Sequence, residues 1–321
     1  MCDHHHHHHH HSEESSLKFF ITYASTGWSL YEGKILICYS GMLIASSIFE
    51  IITGFQSLDS HIVSEGFHTV FHALCIWSAM IALAYTSKHR SADKYCPFGY
   101  SRAQLVAAFG NLIFIFFILF FSFFEAIHEI LSDEVSDSNQ SLLSTFTLKL
   151  VIHCLFFIHL WPYILSKEKY SNDNLGVVGL HCLALLGTEL IRILSLYFEV
   201  NRLSYPFYHA EAVVNILWMG VMLLIIWPFV GRVGNVLLLC SPSGKIKENI
   251  QRKIREISLV EGVVAVKEEK IWMINSSEVI GSIKIEVHGE GKGVVAKTQE
   301  IMKSTTSVFI VEIENSDKVE A

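Results

Sequence analysis

Residues Ala103–Ile127 read AQLVAAFGNLIFIFFILFFSFFEAI, an apolar run whose single charged side chain is Glu125. A helix over that run is about 37 Å long, more than the ~30 Å hydrocarbon core of a bilayer. Working outward, five further segments meet the same criterion: Lys34–Phe55, His61–Thr86, Leu142–Leu165, Leu175–Tyr197 and Tyr208–Val230. Six spans are therefore expected. The chain as a whole is 51% hydrophobic and 17% charged, with mean hydropathy +0.40. The charge deficit is concentrated between Lys34 and Val230, and the stretch after it has the composition of a soluble domain. The expected division is a cytosolic N-terminal segment over 1–33, a six-helix membrane domain over 34–231, a soluble domain over 232–315 and a disordered tail over 316–321.

Basic residues set the expected orientation. Lys88, Arg90, Lys94 and Arg102 lie between spans two and three, and Lys167 and Lys169 between four and five. Arg232, Lys245 and Lys247 follow span six. The link around Asp59 has no Lys or Arg, and Ser132–Ser141 is acidic; only Arg202, near Glu199, runs against the pattern. Both termini are expected in the cytosol. The polar start is not that of a cleavable signal peptide, so the first span is expected to direct insertion.

The soluble tail alternates elements. Lys245–Ser258 carries Ile246, Ile250, Ile254 and Ile257 on one helical stripe. Val263–Val266 and Lys270–Ile274 read as one strand with a charged interruption, and Asn275-Ser276-Ser277 as a turn. Val279–Val287 alternates apolar and polar residues as a strand does, Val294–Lys303 is a second helix, and Ser307–Ile313 a last strand. The order αββαβ predicts a small ferredoxin-like α/β domain with helices on one face of a sheet.

Seven cysteines, none in a C-x-x-C pair and several inside apolar runs, make no disulfide framework or zinc finger. The net charge of −7 is not clustered, so nucleic acid is not an expected partner. No nucleophile–base constellation or phosphate loop is present, so neither an enzyme nor an organic cofactor is expected. The eight histidines His4–His11 have two readings, an expression tag or a native metal-collecting tract. They run straight into Ser12-Glu13-Glu14 without a linker, which favours the second.

Within span two, Glu65, His68 and His72 fall on one helical face at spacings of three and four. Ionisable groups at membrane depth are costly unless they face a cavity or a partner, which makes them functional candidates. The plainer alternative is two neutral histidines hydrogen-bonded to Ser or Thr of neighbouring helices. Span five offers His181, with Glu189 two turns on and Arg192 three residues further. Glu189 and Arg192 are expected to pair with each other.

The stretch Phe98-Gly99-Tyr100-Ser101-Arg102-Ala103-Gln104, followed by Ala107, Ala108, Phe109 and Asn111, resembles the F-G-Y-x-R-x-E signature of the cation diffusion facilitators. Six spans and an αββαβ tail resemble the same family, so the likeness covers nearly the whole chain. The resemblance implies a tetrahedral zinc site built from H-x-x-x-D or D-x-x-x-D in span two and H-x-x-x-D in span five, with zinc exchanged for a proton. Onto this chain it carries Glu65, His68, His72 and His181 as a degenerate metal site. His72 replaces the span-two acid. In span five the acid position falls on Leu185 if His181 is the family histidine, or on Ala184 if Leu180 is. Lys270-Ile271-Trp272 stands where the family has H-x-W, and Gln104 replaces the signature acid.

Neutral imidazoles leave zinc its full double charge in a low-dielectric site, where an uncompensated ion is very costly. Proton coupling would then rest on imidazoles alone. The tail stretches 234–238, 254–258, 261–263 and 280–283 further resemble the zinc transporter 6 branch of the family. That branch implies an accessory, largely non-conducting subunit paired with a zinc transporter 5 type subunit, loading zinc into the lumen of the Golgi or trans-Golgi network. The competing readings are an autonomous zinc/proton antiporter with a His-rich site, and a scaffold that needs no metal. An acid from another helix beside the imidazoles, such as Glu50 or Glu211, would overturn the accessory reading.

Overall fold

A computed structural model describes residues 16–58, 60–89, 94, 96, 99–131, 140–165, 172–200, 210–275, 278–289 and 291–316. The histidine run, Phe98, Arg90, Lys167, Lys169, Arg202 and the last residues of the chain lie outside them. A short helix α1 (Ser16–Ser29) leads into six long ones: α2 (Tyr31–Ser57), α3 (Ser60–Lys88), α4 (Arg102–Leu131), α5 (Gln140–Leu165), α6 (Asp173–Val200) and α7 (Ala210–Leu237). These six are long and apolar enough to cross a membrane, and they coincide with the six expected spans. Each extends past its apolar stretch at one end or both, by two to seven residues at the ends that overrun most, as α7 does to Leu237. The first ends at Leu58, in the left-handed conformation, whose N–H caps the Gly54 carbonyl.

Helix α1 is not foreseen by the sequence reading, which counts only runs long enough to span. It buries Tyr23 and packs Phe19 against α2 and α3. Only Leu30 separates α1 from α2, and the corner has almost no room: a Cβ on Gly33 would stand 2.1 Å from the Gly27 carbonyl oxygen. On the neighbouring face, a Cβ on Gly27 would stand 2.7 Å from Met80 Sδ.

Two apolar cores form within the helical region, and α6 divides them. Its Leu175, Val178 and Cys182 join Leu36, Tyr39 and Leu43 of α2, Ile76 and Met80 of α3, and Ile152 and Leu160 of α5. Its Val177, Leu180 and Ala184 join Leu112 and Ile115 of α4 with Met222 and Ile226 of α7. Close approaches fix the helix pairs. Gly66 of α3 lies against Ile51 and Glu50 of α2, where a Cβ would be 2.6 Å from Ile51 Cγ1, and Ser47 Oγ donates to the Gly66 carbonyl at 2.9 Å. Asn174 Nδ2 of α6 donates to the Ala79 carbonyl of α3 at 2.9 Å. Large apolar side chains such as Phe117, Phe120, Phe121 and Leu224 point outward, as a lipid-facing surface requires.

The C-terminal part follows the order α8 (Gly244–Ser258), β1 (Val263–Met273), β2 (Val279–Val287), α9 (Lys292–Met302) and β3 (Val308–Asn315), the αββαβ arrangement expected. The sheet order is β1-β2-β3; β1 and β2 are antiparallel, while β2 and β3 are parallel across the α9 crossover. Ile250 and Ile257 of α8, Ile283, Ile285 and Val287 of β2, and Val294 and Met302 of α9 share one core. The charged interruption in β1 is a bulge: register shifts fall between Val263 and Ala265 and between Val266 and Glu268.

The α1–α2 corner makes a direct prediction. Gly33→Val forces a side chain into the Gly27 backbone and is expected to cost roughly 1–3 kcal/mol, the range for overpacking. A lowered melting temperature in detergent for G33V, against an unchanged one for Gly41→Ala in open space, is the expected comparison.

Candidate metal site

Helix α3 carries Glu65, His68 and His72 on successive turns, as the spacing predicts, but their side chains take part in two separate layers. The first is made of imidazoles. The His68 and His72 rings lie 4.4 Å apart between centroids, and His72 Nδ1 stands 2.8 Å from Nε2 of His181 on α6. One of these two nitrogens carries the shared proton. Both rings are buried, and Phe114 of α4 stacks parallel to His181 at 6.4 Å. His72 Nε2 is buried and has no hydrogen-bond partner among the described residues. A neutral ring with an open nitrogen beside two other imidazoles has the donor chemistry that suits a borderline-soft cation such as zinc. The charge that would neutralise such an ion is missing from this layer. Leu185 lies one turn beyond His181, and the alternative pair Leu180 and Ala184 belongs to the core shared with α4 and α7. His181 is the span-five histidine that touches His72.

The second layer lies further along α3, towards the α2–α3 turn, and is dense with charge. On α6, Glu189 sits eight residues past His181, about 12 Å along the axis. Arg192 of the same helix donates to Glu65 Oε1. Among the described residues no ion pair joins Arg192 to Glu189, so the expected pairing of those two is corrected. Glu189 instead faces Lys149 of α5. At spacing three on one helix Glu189 and Arg192 are neighbours, but each meets an oppositely charged partner from a facing helix instead. The ammonium of Lys149 is the centre of the layer: it is 2% exposed and lies 2.8 Å from Glu50 Oε1, 3.5 Å from Glu65 Oε2 and 3.7 Å from Glu189 Oε1. Thr69 Oγ1 donates to the other oxygen of Glu50 at 3.0 Å. The Phe146 ring lies 5.5 Å from Lys149 Nζ and 5.4 Å from the Arg192 guanidinium, a cation–π contact to each.

Of the four candidate residues, then, the structure brings His68, His72 and His181 together and commits Glu65 to Arg192 and Lys149. Among the described residues no group of three or more His, Cys, Asp or Glu is arranged to hold a metal ion. Glu50 does fold in beside α3 from another helix, but its oxygens go to Lys149 and Thr69 and not to the imidazoles. Glu211 hydrogen-bonds to Ser195 of α6. Lys149 is missing from the sequence reading, although a lysine seven residues into an apolar span is a signal in its own right. So are Tyr39 and His153, whose Oη and Nδ1 meet at 2.8 Å between α2 and α5. Tyr39 and His153 are 114 residues apart, and nothing local links them.

The signature stretch plays a bracing part. Tyr100 packs edge-on to Tyr85 at 5.3 Å, Thr86 Oγ1 bonds its carbonyl at 3.4 Å, and Arg102 Nη2 donates to the Leu237 carbonyl of α7 at 3.1 Å. Ser78 Oγ of α3 donates to Asn111 Oδ1 of α4 at 3.2 Å. In the tail, Lys270 is exposed and paired with Glu268 at 2.9 Å. The hydrogen bond to that carboxylate raises the lysine above its usual range and keeps it a cation, unable to ligate metal.

Six helices long and apolar enough to span a membrane, which bury imidazoles and compensated charges and are followed by a small α/β domain, define a multi-pass membrane protein. Residues 36–238 match the cation efflux transmembrane domain, and the chain belongs to the cation efflux family. It is 24% identical over 257 residues to a probable zinc transporter protein of Dictyostelium discoideum, covering 79% of this chain and 41% of that protein. It is 25% identical over 257 residues to metal tolerance protein C2 of Arabidopsis thaliana, covering 79% of this chain and 64% of the relative. The chain thus spans less than two thirds of the length of either relative.

The corrected pairing can be checked by stability. Glu65→Gln leaves the Arg192 guanidinium without its carboxylate and is expected to cost roughly 2–4 kcal/mol, whereas Glu189→Gln, whose contact with Lys149 is longer, is expected to cost about 1 kcal/mol or less. Equal losses of melting temperature for E65Q and E189Q would contradict the assignment.

Proposed function

We propose that this chain serves zinc transport as an accessory subunit of a mixed cation efflux assembly, with little or no conduction through its own helices. The observation that carries this reading is the buried Lys149 ammonium among Glu50, Glu65 and Glu189. With Arg192 included, the charged layer holds three carboxylates and two cations, one formal negative charge in all. That is too little to neutralise a divalent ion, and the like charge of the ammonium repels one. The imidazole layer adds no negative charge. An ion that enters between His68, His72 and His181 has nothing that offsets its desolvation and meets a fixed cation beyond.

The partner in this reading is a homologous subunit of the zinc transporter 5 type with complete carboxylate sites, and the compartment is the Golgi or trans-Golgi network, with both termini cytosolic. Support for partner and compartment comes from the likeness of the tail to the zinc transporter 6 branch. The direct test is zinc uptake into proteoliposomes under a proton gradient. The purified chain alone is expected to give the uptake of empty vesicles, and vigorous proton-coupled uptake by it refutes the proposal. Recovery from native membranes of a homologous subunit in equal amount is the expected result of co-purification; a pure homodimer counts against a mixed assembly.

One observation favours autonomous antiport: the open Nε2 of His72 beside two further imidazoles. In that case His72→Ala abolishes zinc transport in cells without any partner, and in the accessory reading it leaves such cells unchanged because they transport nothing through this chain.

A further inference from the structure

Helix α1 has two faces, and the described residues cover only one of them. On the inner face Phe19, Tyr23 and Gly27, at spacings of four, pack against α2 and α3: the Tyr23 ring lies 5.4 Å from that of Tyr85, and Gly27 lies against Met80. On the outer face Phe20, Ile21 and Trp28 are 49%, 60% and 53% exposed. Leu30 is the single residue between α1 and α2. The chain therefore holds Trp28 within about 11 Å of Tyr31, Cα to Cα. Tyr31, 64% exposed, heads an outward stripe of α2 that continues with the exposed Cys38, Met42 and Phe49 at spacings of seven, four and seven. The outer face of α1 thus adjoins the surface through which α2 meets lipid.

Three contacts set the level of this corner at the polar end of the bundle. Tyr23 Oη and His89 Nε2 are 3.3 Å apart, and Nζ of Lys88, the last residue of α3, lies 5.3 Å from the Tyr23 ring centroid. Tyr163 Oη, near the end of α5, donates to Glu32 Oε1 at 3.4 Å. The hydroxyls of Ser25, Thr26 and Ser29 donate back to carbonyls of α1 at 2.8, 2.9 and 2.6 Å, so they do not depend on water for a partner. A helix that satisfies its own hydroxyls and turns Trp, Phe and Ile outward suits the boundary between headgroups and acyl chains, where Trp and Tyr concentrate. In water the same side chains form a contiguous apolar patch, the kind that marks an interaction surface. We propose that α1 is an interfacial helix whose outer face, made by Phe20, Ile21 and Trp28, binds the headgroup–acyl boundary of the leaflet at this end of the bundle. Seated there, Trp28 and Tyr31 hold the α1–α2 corner at a fixed depth, and with it the start of α2. Lipid contact by α1 is independent of the accessory reading, since it requires no ion to pass or to be barred.

Tryptophan emission from the full chain, reconstituted in phosphatidylcholine vesicles, tests the proposal. Bromine on the acyl chains, placed either just below the headgroups or near the bilayer centre, is the quencher from the lipid side, and iodide the quencher from the water side. The contribution of Trp28 is the difference between wild type and Trp28→Phe, which removes the five other tryptophans from the reading. That difference is expected to lose most of its intensity to the shallow bromines, and little to the deep ones or to iodide, because an interfacial helix buries its apolar face only about 5–10 Å deep. Ile21→Trp, read as the gain over wild type, repeats the measurement without touching Trp28 and is expected to behave alike; it decides the matter if W28F does not stay monodisperse. Emission quenched by iodide and indifferent to bromine places the face in water and overturns the proposal. Emission indifferent to both quenchers means that protein covers α1, a second copy included, and overturns it as well. So does stronger quenching by the deep bromines, which places α1 within the hydrocarbon core. Zinc uptake is not read in any arm, so the outcome is separable from that of the proteoliposome test.

Discussion

An ammonium buried among three carboxylates, inside a bundle that faces lipid, is the constraint on which the arrangement of α2, α3, α5 and α6 depends. None of these charges can exist alone at membrane depth; each is tolerable only because the others are within about 4 Å. The lysine therefore fixes more than contact. It sets the rotation of α5 that turns Lys149 inward, the depth at which Glu50 of α2 meets Gly66 and Thr69 of α3, and the face that α6 presents. The missing Cβ of Gly66 lets α3 pack closely against α2 beside Glu50.

The same constraint keeps the imidazoles and the carboxylates apart. Two layers lie along α3, and each lacks what the other has. The imidazole layer has ligand nitrogens and no charge, while the second layer has carboxylates that are already neutralised from within. A transport site needs both properties at one place, because ligands alone do not offset the desolvation of a doubly charged ion. Around these layers the family signature does a different job, bracing α3, α4 and α7 through Tyr100, Arg102 and Asn111. Bracing of that kind is structural and involves none of the buried carboxylates.

Much of the architecture is legible from pattern alone. Ala103–Ile127 is too long and too apolar for anything but a span, and alternation in Val279–Val287 gives a strand buried on one face, found as β2. Even the interruption of β1 is visible in the charged residues at the bulge. What pattern misses falls into two kinds. Helix α1 is too short to register as a span, and it is held by tertiary contacts of Tyr23 and Phe19. Nearness in sequence points to a pair of Glu189 and Arg192, whereas facing helices present Lys149 to the one and Glu65 to the other.

The sequence by itself determined the six spans, the αββαβ tail and the face of α3 on which Glu65, His68 and His72 stand, because each of these follows from periodicity within one segment. Only the tertiary structure decided that His181 meets His72, that Glu65 leaves the imidazoles for Arg192, and that Lys149 holds the centre. Those choices rest on which helices lie side by side and at what depth. Partners such as Glu50 and Lys149 are almost a hundred residues apart, and electrostatic compensation in a low dielectric is satisfied in space, with no trace in local order.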